Sequence, residues 1–427
     1  MSTIQLPQQQ TKKALNPVII IGALFFVFGF VTWLNGTLIP FLQLACELNT
    51  SQALLVTFAF YMAYFFLSIP SSYILKVTGF KNGMSLGLFV MAAGALIFIP
   101  AANTRTFSFF LIGLFVQGMG LSLLQTASNP YIAIVGPLES AARRISIMGI
   151  CNKAAGALSP IILSAMVLKG AQSIETKLKT ITNPLQKELL LNELAGRVIL
   201  PYVIITIVLV VLALLVRYSS LPEINTDKDH VDADGVVVAS RSSIFKYRNL
   251  NLGIICLFLY VGVEVMAGDV IGTYGKSLGM SIDQTKIFTS YTLISMVIGY
   301  MIGIATIPKY IRQEKALMLS ALVGVLFTIA AYFTKGYVSI VFIALLGFAN
   351  SLMWPAIFPL AIKGLGKYTK LGSALLVMGI AGGAVLPQVY ALLAKSLPTQ
   401  LAFLCSMLPC YIYIFYYAVF GYQDNKK

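Results

Sequence analysis

Residues 250–275 read LNLGIICLFLYVGVEVMAGDVIGTYG, an almost unbroken apolar stretch that contains two carboxylates, Glu264 and Asp269. The stretch is long enough for one helix to cross the roughly 30 Å hydrocarbon core of a bilayer. An ionisable side chain at that depth costs a few kcal/mol or more, and such side chains usually serve ions or substrates. The stretch therefore predicts a transmembrane helix and a transport function.

The rest of the chain has the same apolar character. Hydrophobic residues make up 58% of the 427 residues and charged residues only 11%, which is more apolar material than a soluble protein can bury. Long apolar runs predict helices rather than barrel strands, because backbone in lipid must satisfy its own hydrogen bonds. The predicted fold is an all-α membrane protein with twelve transmembrane segments. They lie at approximately 18–43, 51–75, 82–101, 106–132, 145–168, 198–218, 250–275, 285–308, 315–333, 337–362, 371–394 and 399–422.

The formal net charge of +15 would indicate a nucleic-acid partner in a soluble protein. Most of the 30 lysines and arginines, however, lie in alternate predicted loops, the cytoplasmic ones if the N-terminus is inside. This bias follows the positive-inside rule and places both termini in the cytoplasm. We therefore expect a multi-pass protein of a bacterial inner membrane, surrounded by lipid, with no nucleic-acid partner.

The segments form two similar halves. Residues 219–249 are the longest polar interval and predict a cytoplasmic linker between an N-terminal six-helix bundle (1–218) and a C-terminal one (250–427). Met-Gly-Ile occurs in segment five and again in segment eleven, and Gly36 matches Asp269 when the first segments of the two halves are compared. Such a pseudo-symmetric repeat suits alternating access around a central site. A second polar stretch, residues 170–197, fits an outer amphipathic helix and a flexible loop equally well.

The charges in the membrane do not balance. Lys153 lies ten residues after Arg143, or roughly 15 Å along a helix, which is too deep to reach water comfortably. Its partner would be Glu264 or Asp269, and pairing with one acid leaves a single negative charge. We expect a transported cation, Na⁺ or H⁺, to neutralise that charge. The alternative is a structural ion pair beside a permanently neutral acid.

Polar side chains at similar depth are candidates for substrate binding. Amides offer donors and acceptors to sugar hydroxyls, and an indole can cover the apolar face of a pyranose ring. Hydrogen bonding between helices is the alternative for any one amide. The predicted substrate residues are Asn129, Asn152, Gln125, Glu264, Asn350, Trp354, Tyr291 and Gln388.

Four stretches carry a family resemblance: FFVFGFVTWLNGTLIPFL (25–42), LLQTASNPYIAIVGP (123–137), RRISIMGICNKAAGALSP (143–160) and YVGVEVMAGD (260–269). They resemble the fucose:proton symporter family of the major facilitator superfamily, and within it the glucose/galactose transporter branch. In that family, proton-coupled members have acids where this chain has Gly36 and Gln125. The resemblance therefore implies that the helix-seven acids take up a proton or that the coupling ion is different.

Relatives with this Asn-Gly variant look like sodium-linked sugar importers. A hard cation also fits the oxygen-rich groups of this chain better than a two-acid proton relay does. The predicted cation-coupling residues are Asp269, Glu264, Lys153, Asn35 and Gln125, and the two acids are the predicted Na⁺ ligands. No other cofactor is expected.

The leading interpretation is a secondary symporter that imports a glucose- or galactose-like hexose with Na⁺, acting as a monomer on a small sugar. The alternatives are a proton-coupled symporter of fucose or a related sugar, an exporter of apolar compounds, and a sensor that does not transport. An exporter would more often have an acid at the Gly36 position. An enzyme is not expected, since no GxSxG, HExxH or P-loop pattern occurs.

Overall fold

The computed structural model describes residues 17–134, 141–219, 221, 243–307, 309–365 and 368–423. Throughout these ranges the secondary structure is helical, without a β-strand. The α-helices are α1 (Pro17–Thr32), α2 (Asn35–Ala45), α3 (Thr50–Ala53), α4 (Leu55–Leu96), α5 (Phe98–Thr104), α6 (Phe107–Ile134), α7 (Ala141–Val167), α8 (Ala171–Thr180), α9 (Pro184–Gly196), α10 (Ile199–Tyr218), α11 (Arg248–Gly268), α12 (Ile271–Ser277), α13 (Ile282–Thr285), α14 (Phe288–Thr306), α15 (Gln313–Phe333), α16 (Gly336–Asn350), α17 (Met353–Ile362), α18 (Thr369–Met378), α19 (Gly382–Leu393) and α20 (Thr399–Tyr416). Short 3₁₀ turns lie at Ile244–Lys246 and Gly379–Ala381, and Tyr417–Gly421 is a π-helical extension of α20.

Eleven helical runs in the described part of the chain are long and apolar enough to cross a membrane. One of them, Thr50–Thr104, has 55 residues, about twice the length that one crossing needs. Gly79 divides it, because its φ of 75° and ψ of 173° interrupt the helical backbone in a region open only to glycine. Counted as two, this run brings the crossings to the twelve predicted from sequence.

The first and seventh crossings are both interrupted, and both interruptions lie near the site described below. The first crossing changes from α1 to α2 at Trp33 and Leu34, and the seventh changes from α11 to α12 at Asp269 and Val270. These are the opening crossings of the two halves, which the repeat predicted to correspond. A broken helix frees backbone groups that must find other partners, so such breaks are tolerated only inside the protein.

The two halves meet along a central seam. α7 of the first half packs on α14 of the second, and α4 packs on α19. Twelve crossings bring both ends of the chain to the same face of the bundle, which we call the terminal face; the other is the far face. Near the far face α2 contacts α12, and α3 contacts α19. The halves are therefore in contact at the far face.

The polar stretch 170–197 forms two helices, α8 and α9, at the far face, which selects the helical alternative over the flexible loop. Ala171, Ile174 and Leu194 point inward and are buried. Glu175 of α8 lies 3.8 Å from the Lys276 ammonium of α12, so this pair joins the two halves. The predicted linker, residues 219–249, falls largely on residues 222–242, outside the described residues.

Candidate substrate and cation site

The two acids of the seventh crossing face the interior of the bundle. Glu264 is 8% exposed and Asp269 is fully buried. They belong to different structural units, since Glu264 lies in the last turn but one of α11, whereas Asp269 follows the end of that helix. The helix break therefore allows the two carboxylates to have separate surroundings.

Lys153 of α7 pairs with Glu264. Its ammonium lies 2.8 Å from Glu264 Oε1, and the Tyr260 hydroxyl donates to the same oxygen at 2.8 Å. The ammonium also lies 4.3 Å from the centre of the Trp33 ring, a distance at which a cation is attracted to the ring face. The buried lysine charge is thus neutralised by one acid and held on a second side by an indole.

Asp269 forms no ion pair with any residue in the described part of the chain. Its Oδ2 accepts a hydrogen bond of 3.1 Å from the Tyr61 hydroxyl, and the backbone of Gly36 is close to the carboxylate. Its Oδ1 has no hydrogen-bond partner among the described residues. Asn35, next to Gly36, is also buried, and neither atom of its side-chain amide is paired there. A carboxylate and an amide therefore lie buried with unused hydrogen-bonding capacity.

A cavity of about 110 Å³ lies between the two halves, several times the volume that one water needs. Its walls come from eight crossings, four in each half: α1, α4, α6 and α7 in the first, and α11, α14, α17 and the turn Gly379–Ala381 in the second. It is lined by Phe25, Phe28, Thr32, Trp33, Tyr61, Tyr64, Gln125, Asn129, Ile145, Gly149, Asn152, Lys153, Tyr260, Val261, Glu264, Tyr300, Trp354, Pro355 and Ile380.

The cavity lies toward the terminal face. α7 begins at that face and contributes Ile145 and Gly149 from its first half, while α6 ends there and contributes Asn129 from its last turns. On the far side, the Trp33 indole packs with Ala157, Leu293 and Met296 in a small apolar cluster. This cluster and the helix contacts at the far face close that end of the cavity.

Six predicted site residues line the cavity: Glu264, Lys153, Gln125, Asn129, Asn152 and Trp354. The Gln125 amide donates to the Tyr64 hydroxyl at 2.9 Å, and the Asn152 Oδ1 accepts from the Trp33 indole nitrogen at 3.4 Å. Trp354 stacks on Phe358, with the rings 5.9 Å apart and 19° from parallel. Polar groups and a broad indole surface therefore share one enclosed space.

Five predicted site residues lie outside the cavity lining: Asp269, Asn35, Asn350, Tyr291 and Gln388. Asn350 is fully buried and accepts a 2.9 Å hydrogen bond from Tyr411, so it joins helices within the second half. Tyr291 is 46% exposed on the outer surface of α14. Gln388 is half-buried in α19. None of these three side chains lines the cavity, and Tyr291 and Gln388 lie nine and eight residues from Tyr300 and Ile380, the lining residues of their own crossings. Their contact with substrate stays a prediction.

Several cavity residues were missed from sequence, chiefly tyrosines and Trp33. Tyr61 and Tyr64 are three residues apart on α4 and share one face. Tyr260 precedes Glu264 by four residues and so lies directly beneath it on α11. Hydroxyls at helical spacing within apolar segments were the available signal, but tyrosine also occurs often as an ordinary buried side chain.

The chemistry of the cavity suits a small, neutral, polyhydroxylated molecule. Amides of α6 and α7 supply donors and acceptors, tyrosine hydroxyls supply both, and Trp354 supplies a flat apolar surface. Within the described residues, no group of three or more His, Cys, Asp or Glu side chains could hold a metal ion. An ion at Asp269 would thus be bound largely by neutral oxygen atoms.

Comparison with known proteins agrees with these features. A glucose/galactose transporter of Brucella abortus (strain 9-941) is 33% identical over 401 residues, which cover 93% of this chain and 92% of the relative. An L-fucose-proton symporter of Escherichia coli (strain K12) is 29% identical over 422 residues, covering 97% and 95% of the two chains.

Solved structures give the same assignment. The crystal structure of a major facilitator superfamily transporter, FucP, in the outward conformation aligns with a TM-score of 0.74 and 30% identity, over 96% of this chain and 99% of that chain. The sequence model of the Major Facilitator Superfamily matches residues 21–387. With twelve crossings in two halves around a central polar cavity, this chain is a transporter, not an enzyme, and it belongs to the Major Facilitator Superfamily.

Proposed function

We propose that the protein is a symporter that imports a hexose of the glucose or galactose type together with Na⁺ by alternating access. The observation that carries the proposal is the separation of the two buried acids. Glu264 is neutralised by Lys153 at 2.8 Å, whereas the groups beside Asp269 among the described residues are a tyrosine hydroxyl and a backbone segment. One buried carboxyl group is therefore left for a transported cation.

That carboxyl group supplies the coupling. A carboxylate out of water is costly unless it is paired or protonated, so binding of a cation at Asp269 stabilises the closed arrangement of the two halves. The Tyr61 hydroxyl links Asp269 on the second half to α4 on the first. Cation binding at Asp269 thus acts on a contact between the halves, where a change in orientation must occur.

Na⁺ is favoured over H⁺ by the groups around this acid. The Tyr61 hydroxyl offers a neutral oxygen 3.1 Å from the carboxylate, and the buried, unpaired Asn35 amide is the chain neighbour of Gly36, whose backbone is close to it. Neutral oxygens of this kind are the ligands that a hard cation prefers. Two positions with acids in proton-coupled relatives are Gly36 and Gln125 here, and neither can be protonated. The E. coli relative named an L-fucose-proton symporter makes proton coupling through Asp269 the second candidate.

The sugar is proposed from the cavity and from the names of the relatives. Gln125, Asn129 and Asn152 would bind hydroxyls, and Trp354 would cover the ring. A cavity for apolar compounds would not place a lysine–glutamate pair in its wall, which disfavours the exporter. With the termini cytoplasmic, as the distribution of Lys and Arg predicts, the cavity lies nearer the cytoplasmic face than the outer one.

The test is uptake into proteoliposomes. Labelled glucose, galactose and fucose are first screened by counterflow, and accumulation is then driven by an inward Na⁺ gradient at fixed pH, with K⁺ or choline replacing Na⁺ in parallel. We expect accumulation only with Na⁺, and its loss in Asp269→Asn. Asp283→Asn is the matched control, since Asp283 is an exposed acid near the far face that pairs with Lys286. Uptake that needs a pH gradient and ignores Na⁺ would establish the proton-coupled alternative.

A further inference from the structure

Trp33 contacts both Lys153 and the residue that precedes Asp269. It lies at the break between α1 and α2 and is only 2% exposed. Its ring face meets the Lys153 ammonium at 4.3 Å. The opposite edge of the indole, at Cζ3, lies against Gly268, the residue that precedes Asp269. The same side chain therefore touches the lysine and the backbone turn that carries the unpaired acid.

The surroundings of Trp33 hold it in this place. A side chain at either Gly156 or Gly268 would overlap the indole, so both glycines are needed for it to fit. Leu293 and Met296 of the second half close the remaining side, and the ring nitrogen donates to Asn152 Oδ1 at 3.4 Å. The ring has little freedom to move while the far side of the cavity is closed.

This arrangement determines which acid Lys153 can reach. A lysine side chain is long and flexible, with a compact charge that pairs with any nearby carboxylate. If the indole were absent, the ammonium could extend toward Asp269 and neutralise it from inside the protein. The acid would then need no imported cation, and the halves could change orientation with sugar alone.

We propose that Trp33 is a positioning residue that keeps Lys153 on Glu264 and so reserves Asp269 for the coupling cation. The proposal rests on the cation coupling proposed above. It adds the reason why Lys153 does not pair with Asp269 and so replace the transported cation. Trp33 need not contact the sugar or the ion for this purpose. Its contribution is to keep the flexible Lys153 ammonium away from Asp269.

The experiment measures coupling separately from transport. In Trp33→Leu proteoliposomes, the ratio of Na⁺-driven accumulation to sugar counterflow should fall about tenfold or more, and counterflow should become independent of Na⁺. Trp33→Phe, which retains an aromatic face for Lys153, should restore most of the Na⁺ dependence. In Trp33→Leu/Lys153→Gln, any Na⁺-independent movement should disappear, because the internal cation is gone.

Different outcomes contradict the proposed function and the role of Trp33. Wild-type protein that accumulates sugar without a cation gradient contradicts the proposed function itself. If the wild-type protein and a transporting Trp33→Leu variant depend on Na⁺ equally, the role of Trp33 is overturned and the proposed function stands. Equal loss of accumulation and counterflow in both Leu and Phe variants would also overturn it, since that pattern indicates a general packing defect.

A second measurement avoids transport altogether. The chain has two tryptophans, so Trp354→Phe leaves Trp33 as the single indole emitter. Na⁺ added without sugar should change that emission, and K⁺ should not. If Na⁺ raises the thermal unfolding temperature of this variant and the emission does not respond, Trp33 does not sense the cation and the inference fails.

Discussion

Replacing Lys153 by Gln tests whether the buried ion pair stabilises the closed arrangement. The substitution leaves the Glu264 carboxylate 8% exposed, with the Tyr260 hydroxyl at 2.8 Å as its remaining donor. Removing one partner of a buried pair typically costs about 3–5 kcal/mol of unfolding free energy, because the other charge stays buried without compensation. Glu264→Gln instead removes the acid and leaves the Lys153 ammonium beside the Trp33 ring face. We expect a similar loss of unfolding free energy.

The double variant Lys153→Gln/Glu264→Gln should be less destabilised than the sum of the single variants. Two neutral amides at these positions leave no unpaired charge, and they can bond to each other or to the Tyr260 hydroxyl. The expected coupling energy is about 2–3 kcal/mol, near the upper end for residues in direct contact. The measurement is a double-mutant cycle of unfolding free energies in mixed micelles titrated with denaturing detergent.

The control cycle uses Asp283 and Lys286, whose side chains also approach to 2.7 Å but are 42% and 25% exposed. An exposed pair at this helical spacing should give about 0.5 kcal/mol or less. Additive effects at Lys153 and Glu264, with a coupling no larger than that of the control pair, would refute the account of a desolvated ion pair. Water in the cavity would then be screening both charges.

Three further predictions concern single side chains. Tyr61→Phe removes the hydroxyl that donates to the Asp269 carboxylate, and a hydrogen bond to a charge is worth about 1.5–3 kcal/mol. The Na⁺ concentration for half-maximal uptake should therefore shift by about tenfold or more, and an unchanged concentration contradicts the assigned contact. Gly156→Ala places a methyl group against the Trp33 indole and should lower the initial uptake rate at least tenfold. The control Gly196→Ala, with open space around the new methyl group, should keep the wild-type rate; equal rates in the two variants would show that the indole is not tightly held. Tyr291→Ala changes an outward-facing residue and should leave the KM for sugar within about twofold, so a large rise in KM would restore this residue to the site.

The fold was predictable because its main determinant is local. Each crossing is recognisable from a run of about 20 apolar residues, and the one long run that merges two crossings is divided at Gly79. The repeat matches Gly36 with Asp269, and the first crossing of each half is interrupted near these positions, although the sequence did not predict the interruptions. These inferences use neighbouring residues and chain periodicity, which the sequence contains in full.

The candidate site was predictable only in part. Asn129, Asn152 and Trp354 line the cavity, whereas Asn350 and Tyr291 do not: Asn350 bonds to Tyr411, and Tyr291 lies on the outer surface. A membrane helix is apolar both where it faces lipid and where it packs on another helix. The hydrophobic pattern that orients a helix in a soluble protein is therefore weak here, and polar residues alone do not show which way a helix is turned.

The sequence by itself determined that one lysine and two acids lie in long apolar segments, so that the lysine can pair with only one of the two acids. Only the tertiary structure decided which acid the lysine neutralises. Lys153 and Glu264 are 111 positions apart in the chain, and either acid would satisfy the ammonium equally well in sequence terms. The choice depends on distances of a few ångströms, set by the packing of α7 on the second half and by the Trp33 indole beside the lysine. Coulomb attraction falls with distance and rises as water is excluded, so the packing that fixes both of these quantities also fixes which charge is left for a transported cation.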